Sequence, residues 1–75
     1  MATHVMELAV VNLTIGETAG RVWRVLDQEG QMKLPALQKQ VGVPSTLLHL
    51  ALGWLAREDK VDITAEGRTY MVRLR

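Results

Sequence analysis

The sequence predicts an α+β, mainly α domain of 75 residues, with three helices, one short strand and a C-terminal β-hairpin. Three observations point there. Apolar residues recur at helical spacing in three stretches, glycine and proline punctuate the gaps between them, and two alternating runs joined by a glycine-containing turn close the chain. The reading divides the chain into an N-terminal apolar segment, residues 1–13, and a winged helix-turn-helix domain, residues 14–75.

The N-terminal segment carries the run Val5-Met6-Glu7-Leu8-Ala9-Val10-Val11, β-branched enough for a strand and short enough to be helical. We read it as a strand or a docking arm, set on the domain's own core or on a second subunit. From Ile15 to Glu29 the spacing predicts a helix. Ile15, Ala19, Val22 and Leu26 form its stripe, Trp23 and Val25 flank it, and Glu17 faces Arg21 one turn on. Thr14 or Asn12 suits its start and Gly30 its end. Gly16 and Gly20 weaken a helix interior, which predicts close packing against them in the core.

Gln31 to Leu34 has room for a short strand, and Pro35 suits the first turn of a second helix with Leu37 and Val41 inward. Gly42-Val43-Pro44 ends that helix, with Ser45 placed to cap a third helix reaching about Glu58. Leu48, Ala51, Leu52 and Leu55 form its inner side, and Leu47 and Trp54 continue the arc. Val61-Asp62-Ile63-Thr64 and Tyr70-Met71-Val72-Arg73-Leu74 then alternate around Ala65-Glu66-Gly67-Arg68, which predicts a buried face of Val61, Ile63, Tyr70, Val72 and Leu74.

The segment from Leu37 to Leu55 carries the fold. Gly42 permits a sharp turn, Val43 plugs the angle between two helices, and the leucines seat the later helix on the earlier one. A hairpin directly after such a pair makes it the winged variant. Beyond the element order, Ile15-Gly16-Glu17-Thr18-Ala19-Gly20-Arg21-Val22-Trp23 and, more specifically, Ala51-Leu52-Gly53-Trp54-Leu55-Ala56-Arg57-Glu58-Asp59-Lys60-Val61 carry a family likeness. Through them the chain resembles the small bacterial and archaeal winged helix-turn-helix proteins grouped as a domain of unknown function. The resemblance covers about Ile15 to Leu74, and the longer apolar N-terminus departs from the usual short lead-in. It implies the fold and a nucleic-acid-binding ancestry, and brings no catalytic residue, cofactor or named target.

Composition narrows the function classes. With no cysteine, disulfides and thiolate metal sites are excluded and the cytoplasm is the expected location. No stretch is long and apolar enough for a membrane span, so no membrane partner is expected. His4 and His49 lack metal-ligand spacing, Ser45 and His49 lack a third group to orient them, and the glycine pair lacks phosphate-loop context. We therefore expect no enzyme activity, no catalytic residue, no cofactor and no metal. Trp23 and Trp54 are read as core anchors.

Two readings stay open. The net charge of +1 is low for a nucleic-acid binder, yet residues 30–57 contain no acid. In the first reading the chain binds double-stranded DNA as a transcription regulator, largely through phosphates. Its contacts come from Lys33, Lys39, Thr46, His49, Arg57 and Arg68 at the wing tip, with Arg73 and Arg75 adding charge. In the second it is a homodimeric protein-interaction module without DNA binding, using Val5, Leu8 and Val10 with the strip Leu50, Gly53 and Ala56. Fold analogy and the acid-free stretch tip the expectation towards DNA, against a third helix thin in polar side chains.

Overall fold

The computed structural model describes the backbone of residues 2–75 and the side chains of residues 14–75. The first helix, α1, runs Ala2–Glu29 without a break. Thr14 is therefore interior to a helix rather than its cap, and the backbone of the N-terminal segment continues α1 instead of forming a strand. The side chains of Val5, Leu8 and Val10, and with them that half of the expected interface, lie outside the described residues.

After Gly30 come β1 (Met32–Lys33), α2 (Leu34–Val41), α3 (Ser45–Arg57), β2 (Val61–Glu66) and β3 (Thr69–Leu74). The short strand has a partner that the sequence pattern does not reveal. β3 lies in the middle of a three-stranded antiparallel sheet, order β1-β3-β2, with Met32 opposite Val72 and Ile63 opposite Val72 on the other edge.

The turn chemistry explains why the helices end where they do. Gly42 takes φ 70° and donates its N–H to the Gln38 carbonyl, closing α2 in the left-handed conformation open to glycine without strain. The Gln38 side-chain amide spans the same turn to the Val43 carbonyl. Gly42→Ala should lower stability by about 1 kcal/mol, read by chemical denaturation, although a methyl there meets no neighbouring atom; an unchanged midpoint would show that the turn tolerates a side chain. Asp59 adopts φ 58° after α3, where the Lys60 N–H reaches the Leu55 carbonyl and the Asp59 N–H the Ala56 carbonyl. At the wing, Gly67 supplies the positive φ that a two-residue hairpin turn needs at its first position, and Arg68 completes the tip.

One aliphatic core joins Ala19, Val22 and Leu26 of α1, Leu37 and Val41 of α2, Leu48, Ala51, Leu52 and Leu55 of α3, and Val61 and Val72 of the sheet. Thr18 is buried with them, and no buried side-chain polar atom lacks a partner among the described residues. Arg21 does not pair with Glu17; its guanidinium donates to the Val41 carbonyl at 2.7 Å, tying α1 to the end of α2. A capping use outcompetes a solvated ion pair because it satisfies a helix-terminal carbonyl.

Four expectations about burial are corrected. Ile63 and Tyr70 are exposed, because burial along β2 falls away after its first two residues and the helices cover only the base of the wing. Trp23 and Trp54 are exposed as well, at 39% and 52%, since smaller residues already fill the inner positions of α1 and α3. Among the described residues nothing lies within 4 Å of a methyl placed on Gly16, and only the Arg24 guanidinium, at 3.7 Å, approaches one on Gly20. The glycine pair is not closed by the domain's own core.

Candidate functional site

α3 follows Pro44, and Ser45 is its first residue rather than its cap, with no side-chain bond to the helix start. The Ser45 hydroxyl instead lies 3.3 Å from His49 Nδ1, one turn along the exposed face. No other described side chain bonds to that ring, and no group of three metal-binding residue types occurs among the described residues.

The free face of α3 carries Thr46, His49, Leu50, Gly53, Trp54, Ala56 and Arg57, all exposed. His49 and Gly53 open onto a groove of about 470 Å³ between α3 and the wing, completed by Leu34, Leu52, Ile63 and Tyr70. None of these lining residues is a lysine or arginine. Ile63 and Tyr70 stand on the same side of the sheet as Val72, so the groove is the uncovered outer part of the sheet's apolar face.

On the opposite flank, Leu50 and Trp54 stand one turn apart, exposed at 46% and 52%. Trp54 walls a second cleft, about 410 Å³, whose other lining residues are Gly16, Ala19, Gly20, Trp23, Arg24, Leu55 and Lys60. The sequence hid both surfaces, because an alternating strand and an apolar helix arc look alike whether or not something covers them.

The cations expected to meet DNA come from four different elements. Lys33 is on β1, Lys39 on α2 beside a hollow with Met32, Ala36 and Gln40, Arg57 at the end of α3 and Arg68 at the wing tip. All four are exposed and none forms an ion pair among the described residues. Arg73 and Arg75 are not free: Arg73 pairs with Asp62 at 3.2 Å, and Arg75 with Asp59 at 2.7 Å and Asp62 at 3.6 Å. Of the expected interface strip, Leu50, Gly53 and Ala56 are exposed on α3, with Leu50 on the tryptophan flank and Gly53 at the groove.

Among the described residues, no helix is long and apolar enough to cross a membrane. The chain is 34% identical over 64 residues to the uncharacterized protein MJ1608 of Methanocaldococcus jannaschii, covering 81% of this chain and 90% of that one. Its fold is similar to the solution NMR structure of protein BT2368 from Bacteroides thetaiotaomicron, with a TM-score of 0.72 and 33% identity over 81% of this chain and 74% of the other. The model of one family, described as a winged helix-turn-helix domain (DUF2582), matches residues 6–74, taking in much of the N-terminal segment that looked atypical. With the three helices and three-stranded sheet in winged-helix order, the chain belongs to that winged helix-turn-helix family of unknown function.

Proposed function

We propose that this chain is a homodimeric protein-interaction winged helix, cytoplasmic and without catalytic activity, in which α3 serves association rather than base reading. One observation carries this reading: Leu50, Trp54, Ile63 and Tyr70 are all large, apolar and between 39% and 52% exposed on α3 and the wing. Base edges and phosphates are recognised by donors and acceptors. Here the groove between helix and wing offers His49 among apolar side chains and no fixed positive charge. Surfaces of this composition exclude water against another protein.

DNA binding is the second reading, supported by Lys33, Lys39, Arg57 and Arg68, which form no ion pair among the described residues. Four such cations with few polar groups on α3 would give weak, phosphate-driven and salt-sensitive attachment.

One pair of measurements separates the two. Light scattering of the free protein should give the mass of a dimer, and anisotropy of a labelled duplex should show no saturable binding at moderate salt. A monomer at high concentration would end the homodimer reading. Saturable binding at low salt, weakened by salt and lost in Lys39→Ala and Arg68→Ala, would put the DNA reading in its place.

A further inference from the structure

The surface that remains unexplained is the outer face of α1. Gly16, Gly20, Trp23 and Asp27 recur there at i, i+4, i+7 and i+11, so they share one side of the helix. Two glycines inside a helix weaken it, and among the described residues nothing approaches a methyl on Gly16 and only the Arg24 guanidinium approaches one on Gly20. Beside the hollow stand Trp23 and, across the cleft, Trp54, both exposed indoles. A hollow and a knob thus lie on the same surface.

The charges on the flank of this face follow the same logic. Glu17 and Arg24 lie seven residues apart, on one side of α1. Neither has an ion pair or side-chain hydrogen bond among the described residues, since Arg21 is engaged at Val41. Lys60 in the cleft is likewise unpaired, and no acid lines the cleft. An occupant would have to bring an apolar knob and a carboxylate, and this face has both.

We propose that the outer face of α1 packs against the same face of a second copy, antiparallel, with the two-fold axis beside Gly20. This rests on the homodimer reading and sets its two-fold on the tryptophan flank, where Trp54 of α3 borders α1, rather than at the groove. In that arrangement Trp23 of each protomer fills the hollow between Gly16 and Gly20 of the other. Arg24 of each meets the other's Glu17, so each contact is made twice, as a two-fold interface requires. The position of the glycines suits it. They lie near the middle of a 28-residue helix about 42 Å long, in a molecule of 44 × 22 × 20 Å. An antiparallel copy centred there overlaps most of α1. Glycine at the crossing lets the helix backbones come close.

The chain has no cysteine, which makes the test direct. Gly20→Cys, oxidised at micromolar concentration, should become a disulfide-linked dimer, because residues at a two-fold crossing lie within bridging distance. Gly53→Cys, on α3 at the groove, should stay unlinked. Glu17→Lys and Arg24→Glu should each weaken dimerisation about tenfold, and the double variant, with the charges exchanged, should restore it. Circular dichroism of each variant confirms that the fold is kept, since both side chains are exposed. A dimer by light scattering without the Gly20→Cys link and without charge-swap rescue would overturn this register while leaving the homodimer reading standing. A monomer at high concentration would overturn both.

Discussion

Truncating Leu48 to alanine should destabilise the domain by about 3 kcal/mol, the largest loss expected from any single apolar truncation in α3. Leu48 is fully buried at the centre of the cluster that joins all three helices to β2 and β3. Replacing its isobutyl group by methyl forfeits the transfer free energy of a methine and two methyl groups and leaves a cavity that close-packed neighbours fill only in part. A domain of this size has roughly 4–11 kcal/mol of stability in all, so the variant should be partly unfolded on mild warming. Leu50→Ala, two positions on and 46% exposed, should change the stability of the dilute monomer by less than about 0.5 kcal/mol. Urea denaturation of the pair reads both numbers. Equal losses at the two sites would contradict the assignment of the core.

That contrast between Leu48 and Leu50 marks how far the sequence can be read. The inner stripe of α3, the left-handed glycine at Gly42 and the wing turn at Gly67 were legible because each obeys local rules. These rules are a helical period, a positive φ and a two-residue hairpin. What sequence reasoning missed depends on lateral extent. Ile63 and Tyr70 alternate just as buried strand residues do, and only the reach of the helical layer decides that Val61 and Val72 are covered while they are not. Trp23 and Trp54 are large and apolar, so they pass for core until Ala19, Val22, Leu52 and Leu55 are seen to fill it. The pairing of Glu17 with Arg21 failed for another reason. A carbonyl at the end of α2, distant in sequence, competes for the guanidinium. The candidate DNA contacts are exposed, and their places on β1, α2, α3 and the wing follow from the element order.

If the tryptophan flank is where two copies meet, stability and association are one equilibrium, and Trp54→Glu should separate them. For the unaltered chain the thermal midpoint should climb with protein concentration, because dimerisation draws the folded state out of the folding equilibrium. At a concentration about a hundredfold above the dissociation constant the gain is about 2.7 kcal/mol. For a domain of this length that corresponds to a rise of about 10 °C or more. Trp54 is 52% exposed and belongs neither to the core nor to the residues packed against it, so a glutamate there should be tolerated by the folded monomer. Within a dimer the variant would lose the indole's contact area and shut a carboxylate away from bulk water, a combined cost of several kcal/mol that Arg24 and Lys60 of the cleft offset only in part. Trp54→Glu should therefore unfold at a midpoint that no longer varies with concentration and that matches the dilute limit of the unaltered chain. A midpoint lowered by the same amount at every concentration would mean that Trp54 supports the fold of the monomer, and would remove the tryptophan flank from the interface.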